Sequence, residues 1–513
     1  MKKKTKKKID KIINKLDNFV NWSPPKILVG AILFIFSLLI TFMFFKLDND
    51  FWFIVNTGKY IINNGFPTIE PFTIHTDLAF IVQQWLTDVI FYFVYNKLDV
   101  YGMLILVTII NIIITMLMYK ISMLISENKV KLSIFITMLL SILLSSYFIT
   151  TRPQIFDVLF LLLEIYLLEL YIKKNNKLYL LGLPIISLLM INLHSSIWFM
   201  LFIFLLPYFL DRVVKIKCFD NEKYNIKNLF IITIIMALLG LINPYGIDAI
   251  TYIFNSYGIE YINELVNEMK PLTVETINGI VIFIYILIIL FSYYRNKKEK
   301  IKLRYLLLFL GTCYLGLSHY KGILFLLVGG ILSIIYNFKD IVIDEKKQEN
   351  LYSNNKKNIF VIVSIVLIIG LYTGIILNIN LKYNNKNYLE DIVDYLDDIS
   401  DNKDVKVYTG YNDGGYLEYR GYKCYLDPRA EVFLKSNNKK EDILLEYTDL
   451  QEGKLNYKEF LSKYDFDYLI VNDEDLLYTY ISSEDGYIYM MEKAITNFYS
   501  DNVNKYRLYK KVK

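Results

Sequence analysis

Two uninterrupted apolar runs, Ile27–Phe45 and Ile359–Ile379, are each long enough to cross a hydrocarbon core about 30 Å thick. Further runs lie between them, and 55% of the 513 residues are hydrophobic, against roughly 45–50% in a soluble domain. The chain therefore reads as a polytopic α-helical membrane protein, and disordered, collagenous and simple coiled-coil classes are excluded. Cys218, Cys313 and Cys424 lie too far apart in sequence to form a disulfide framework or a CxxC site.

Hydropathy places about eleven spans, near 27–47, 101–119, 131–150, 155–172, 178–193, 195–211, 228–243, 277–294, 303–318, 321–337 and 359–380. Segment 80–96 is apolar but contains Gln83, Gln84, Thr87 and Asp88, and counting it as a span would invert everything after it. Lys and Arg in short loops stay on the cytoplasmic side during insertion. With eleven spans, the later short cytoplasmic loops hold 22 Lys and Arg, and the short external ones hold only Arg152, Lys270 and Lys321. Segment 80–96 is accordingly read as an amphipathic helix on the external interface.

Residues 1–26 carry nine Lys against Asp10 and Asp17, which suits a cytoplasmic anchor facing anionic membrane lipids better than a cleaved signal or a nucleic-acid partner. The chain divides into this basic N-terminus (1–26), a transmembrane domain (27–380) with a large first external loop (48–100), and residues 381–513. The last segment is polar, with 19 Lys and Arg against 26 Asp and Glu. It alternates helical and strand patterns and reads as a small extracytoplasmic α/β domain. The expected setting is a cell membrane, with the N-terminus inside and the C-terminal domain outside.

On this topology, polar residues that are uncommon in such a chain gather at the external ends of spans: Asp48, Asp50, His75, Arg152, Gln154, Asn192, His194, Asn243, His319 and Lys321. Asp48 and Asp50 can serve as a general base or bind a hard divalent cation such as Mg or Mn through oxygen. They can equally just mark the end of a span. Arg152 can clamp a phosphate in a bidentate manner or snorkel to the interface. The segments around Asn192-Leu193-His194 and His319-Tyr320-Lys321 read as tight links between spans. Glu164 and Glu169 fall within a span; Glu169 is near enough to its cytoplasmic end to reach water, and Glu164 is not. No nucleotide-binding loop, GxSxG or HExxH pattern is present, and Gly414-Gly415 reads as a turn.

Several of these segments, taken in order, resemble bacterial GT-C-type membrane glycosyltransferase-like proteins. The likeness runs through Asp48-Asn49-Asp50-Phe51-Trp52, Thr57-Gly58-Lys59, Gly65-Phe66-Pro67, Pro71-Phe72-Thr73 and Gln84-Trp85-Leu86 in the first external loop. It continues through Arg152-Pro153-Gln154, Asn192-Leu193-His194, Asn243-Pro244-Tyr245-Gly246 and Lys321. It ends with Gly414-Gly415-Tyr416-Leu417 and Asp427-Pro428-Arg429-Ala430-Glu431. Ile54 stands where that family has His, and Gln84 where it has Glu, which leaves His75 as a substitute.

The resemblance implies transfer of a sugar from a polyprenyl-phosphate-linked donor to a glycan, lipid or protein acceptor on the external face. Asp48 or Asp50 would act as base. Arg152, Gln154, Asn192, His194, His319, Lys321 and Trp85 would bind substrate or its phosphate. Two other functions fit the composition: a non-enzymatic transporter or export factor for lipid-linked glycans, and a membrane-anchored glycan-binding protein.

Overall fold

The computed structural model describes residues 25–220, 222–255, 259–296, 300–339, 387–481, 486–496 and 503–512, together with Gly370 and Gly374. The basic N-terminus and the expected span 359–380 lie outside the described residues.

Most of the chain is helical. In order, the main helices are α1 (Lys26–Phe44), α2 (Asp50–Asn64), α3 (Trp85–Ile125), α4 (Val130–Tyr147), α5 (Gln154–Lys174), α6 (Lys177–Leu193), α7 (Ser195–Val213), α8 (Ile226–Leu239), α9 (Ile277–Arg295), α10 (Leu303–Ser318) and α11 (Tyr320–Phe338). Of these, α1, α3, α4, α7, α9 and α11 are long and apolar enough to cross a membrane. α6, α8 and α10 are apolar but shorter. α5 carries Asp157, Glu164 and Glu169 among its apolar residues.

α3 is two helical pieces joined at Asp99, whose backbone is non-helical (φ 52°, ψ −153°). Its first piece includes much of the segment read as an interfacial helix, but Phe80–Gln84 are not helical. The Phe80 N–H bonds the Thr68 carbonyl, and Ile69 pairs with Ala79, so this stretch is held as extended chain. The first piece of α3 also packs against α2. Gly58 makes that possible: a Cβ there would sit 2.1 Å from the Asp88 carbonyl oxygen.

Two buried acids in α5 differ sharply. Glu169, which the sequence allowed to reach water, is buried and takes two hydrogen bonds from Arg304, at 2.9 and 3.0 Å. Arg304 also bonds Asp211 and Glu222, and the Tyr208 and Tyr305 hydroxyls donate to Glu169. Glu164 is buried, and neither carboxylate oxygen has a hydrogen-bond partner among the described residues.

Residues 387–512 carry a five-stranded sheet in the order β2-β1-β3-β5-β4: β1 (Lys406–Thr409), β2 (Lys423–Cys424), β3 (Tyr468–Asn472), β4 (Tyr487–Thr496) and β5 (Val503–Lys511). β1 is parallel to β2 and β3, while β5 is antiparallel to both β3 and β4. The helices α12 (Glu390–Ile399), α13 (Gly414–Tyr419), α14 (Ile443–Gln451) and α15 (Tyr457–Tyr464) pack around it. The sheet core is aromatic, built on Tyr408, Tyr425, Phe460 and Phe466 with ring centroids 5.1–6.0 Å apart.

Gly414-Gly415 is not the turn read from sequence; it opens α13. A side chain at Gly414 would meet the Leu426 carbonyl at 2.1 Å, so glycine lets this helix lie against the chain leaving β2. α13 then docks on α2, with Trp52 ring to ring against Tyr416 (4.9 Å) and Tyr419 (5.0 Å). The loop before α3 reaches the sheet edge, where the Ile74 N–H bonds the Cys424 carbonyl.

Candidate functional site

Asp48 sits just before α2, and its carboxylate accepts the Asp50 backbone N–H at 3.3 Å, in the manner of a helix cap. The Asp48 N–H in turn donates to the Thr151 hydroxyl, which donates to the Lys46 carbonyl. This pins the start of α2 to the loop that ends at Arg152-Pro153, where Pro153 leads into α5 as its preset φ allows. Both acids therefore lie at a helix N-terminus, where the backbone N–H groups favour negative charge.

Arg152 lies among three carboxylates. Its Nε is 3.1 Å from Asp48 Oδ1, and its two terminal nitrogens contact Asp50 and Glu268. Glu268 comes from the long connection between α8 and α9. That stretch is clamped to the α10–α11 link by three bonds: Tyr320 N–H to the Lys270 carbonyl, Leu272 N–H to the Leu317 carbonyl, and His319 Nδ1–H to the Met269 carbonyl. Burial raises the Asp50 carboxyl to about 7; Arg152 opposes that rise, while Asp48 and Glu268 add to it. Burial also works against ionisation of Glu268, but Arg152, with Lys321 and His194 behind it, holds Glu268 below its usual range.

These groups line a cavity of about 410 Å3. The same wall carries Gln83, Gln84, Gln154, His194 and Lys321 from the helical part, and Tyr411, Asn412, Arg429 and Glu431 from the sheet-bearing part. A smaller chamber of about 70 Å3 adjoins it. The two share Arg152, Gln154, His194, Glu268 and Lys321, and the chamber adds apolar Phe148, Ile197, Leu324 and Phe325. His194 Nδ1 is 2.7 Å from Asp157 Oδ2, a buried carboxylate that fixes the imidazole. No carboxylate lies within ion-pair reach of Lys321 among the described residues.

Asp48, Asp50, Arg152, Gln154, His194 and Lys321 thus meet at one cavity. Asn192, His319 and Trp85 are engaged elsewhere. Trp85 Nε1–H donates to Asn192 Oδ1 at 2.8 Å, and the Asn192 amide donates to the Leu188 and Ile242 carbonyls, so this pair ties α3 to α6. His319 Nδ1 is held by the Met269 carbonyl, and His75 also lies off the cavity lining: its Nε2–H donates to the Tyr425 carbonyl at 2.7 Å, and burial lowers its pKa. The Asn243-Pro244-Tyr245-Gly246 turn is also structural, with the Tyr245 hydroxyl on the Pro67 carbonyl.

Glu268, Asp157, Tyr411 and Gln83 were not picked out from sequence. An acid in the first turn of an apolar helix marks Asp157, and the unusual length of the 243–276 connection marks the region of Glu268.

The donor set fits a divalent cation poorly. Asp48 and Asp50 both face the Arg152 guanidinium, and as the carboxylates stand around it, no group of three His, Cys, Asp or Glu among the described residues is arranged to hold a metal ion.

No family model matches the sequence. No curated protein matches it either. The fold does match solved structures. The Archaeoglobus fulgidus oligosaccharyltransferase in its apo form superposes with a TM-score of 0.56 at 14% identity, covering 86% of this chain and 69% of that one. The same archaeal enzyme, AglB, solved with an inhibitory peptide and a dolichol-phosphate, gives 0.55 at 11% identity, covering 86% and 68%. A complex of it with Zn and sulfate gives 0.52 at 11% identity, covering 86% and 67%. The chain has a GT-C-type fold. At these identities the likeness speaks for the fold alone.

Proposed function

We propose that the protein is a membrane glycosyltransferase that moves a sugar from a polyprenyl-phosphate-linked donor to an acceptor on the external face of a bacterial cell membrane. The observation that carries this reading is the meeting, in one cavity of a GT-C-type fold, of a carboxylate with a raised pKa, Asp50, and a cation, Lys321, that has no carboxylate within ion-pair reach among the described residues. A structure of similar fold was solved with a dolichol-phosphate, and another with a tethered acceptor peptide, which supports a lipid-linked donor and leaves a peptide among the acceptors.

In this reading Asp50 takes the proton from the acceptor nucleophile, a role worth roughly 10²–10⁴-fold in rate. A carboxyl near 7 suits the task far better than an ordinary Asp. The nucleophile attacks the anomeric carbon as its bond to the lipid phosphate breaks, and negative charge develops on the departing phosphate. Lys321 and His194 stabilise that charge, while Phe148, Leu324 and Phe325 receive the first carbons of the isoprenoid. Arg152 is committed to three carboxylates, so phosphate binding falls mainly to Lys321. A Mg or Mn ion at Asp48 and Asp50 would have to displace the guanidinium.

Binding of a fluorescent polyprenyl phosphate to the purified protein tests the donor assignment. Wild type is expected to bind it and Lys321→Met to bind at least about 10-fold more weakly, as loss of a charge-assisted contact implies. Equal binding by both would remove Lys321, and with it the donor site, from the account.

A further inference from the structure

We infer that Arg152 is the resident cation of this site, filling the position among Asp48, Asp50 and Glu268 that a divalent metal would need, so that the protein works without one. The inference rests on the transferase reading for the word "works", but its structural content stands on geometry.

Three carboxylates from separate segments meet one guanidinium on three of its nitrogens: Asp48 at Nε, Asp50 and Glu268 at the two ends. The side chains are only 18–35% exposed, so water screens the arrangement weakly. Mg or Mn prefers near-octahedral oxygen ligands at about 2.1 Å, usually with several waters. Admitting such an ion would break two charge-assisted hydrogen bonds, to Asp50 and Glu268, and the ion pair with Asp48, and leave a permanently charged arginine beside a dication. Of the imidazoles only His194 lies on the cavity; Asp157 holds its Nδ1, and its Nε2 is one nitrogen beside an oxygen site that the guanidinium already fills. Lys321, on the same wall, offsets part of the remaining negative charge.

What a metal would do for the carboxylates, Arg152 does from within the chain. It holds Asp48 and Asp50 in fixed relation while the planar fork, unlike a lysine ammonium, contacts three partners at once. Arg152 is thus a positioning residue.

The test is Mn2+ binding by the full-length protein in detergent, followed by the electron paramagnetic resonance signal of free Mn2+. Wild type is expected to take up no stoichiometric ion. Arg152→Met and Arg152→Gln, two neutral replacements of different shape, are expected to gain one site. Their affinity should exceed that of wild type by at least about 100-fold, as removing a fixed like charge within about 4 Å requires.

One Mn2+ bound by wild type and lost in Asp48→Asn or Asp50→Asn would overturn the inference, and this arm depends on no Arg152 variant folding. So would the absence of binding by both neutral variants when gel filtration shows them folded. The titration uses no donor or acceptor. Failure to see sugar transfer would therefore sink the function proposed above and leave this result readable.

Discussion

Asp157 Oδ2 lies 2.7 Å from His194 Nδ1, in a wall where the imidazole is the only one of the three histidines on the cavity. The carboxylate sets the ring's orientation and leaves Nε2 as its other polar atom. Asp157→Leu should therefore raise KM for the lipid-linked donor by about 10-fold or more while the protein still inserts and elutes normally. The KM-against-kcat split checks this, because a merely structural role would lower apparent kcat through loss of folded protein and leave KM unchanged.

The acidic limb of the pH profile follows from Asp50. Its carboxyl is raised to about 7, so the ionised form that accepts a proton grows as pH rises through 7. With Asp50 as base, kcat/KM should fall about 10-fold per unit on the acid side of that value. A limb near 4, where an ordinary Asp ionises, would mean that the buried Asp50 is not the base.

Arg304 and Glu169 form a stabilising pair far along α5 from the cavity. Arg304→Met leaves the carboxylates of Glu169 and Asp211 buried without their guanidinium. Breaking a buried pair by removing one partner costs about 3–5 kcal/mol. Thermal unfolding in detergent should show the loss, and unchanged melting would contradict the buried-network picture.

Truncation after residue 386 tests whether the sheet-bearing part belongs to the active unit. It removes Tyr411, Arg429 and Glu431 from the cavity wall and unpairs buried Glu70, whose carboxylate bonds Arg429 at 2.8 Å. Transfer should be lost although the membrane helices remain inserted. Unchanged activity would reduce that part to an accessory.

Six apolar helices long enough to cross a membrane stand among the described residues against the eleven spans read from hydropathy, since apolar length is itself the signal but several runs form shorter helices; Asp48, Asp50, Arg152, His194 and Lys321 stood out because charge at the end of an apolar run is rare. Residue type did not say what each polar side chain touches. Asn192, Trp85 and His319 have the right chemistry for a site, yet their hydrogen bonds go to one another and to backbone carbonyls.

Glu268 was hidden for the opposite reason. Nothing around it is periodic, and it is brought to Arg152 by bonds from the 269–272 stretch to Leu317, His319 and Tyr320, which sequence pattern does not reveal. In the sheet, Tyr468–Asn472 was readable as β3, but β4 was not. Its register shifts between Tyr489 and Met491, which breaks the alternation that would have marked a strand.

Sugar transfer by Asp50→Asn tests the central claim most directly. The protein would be reconstituted in liposomes with polyprenyl-phosphate-linked sugars, and labelled product counted for wild type and variant at equal inserted amounts. The expected result is transfer by wild type and a loss of at least about 100-fold in the variant, which keeps the shape of the side chain but cannot accept the proton. Full activity in Asp50→Asn would contradict the account.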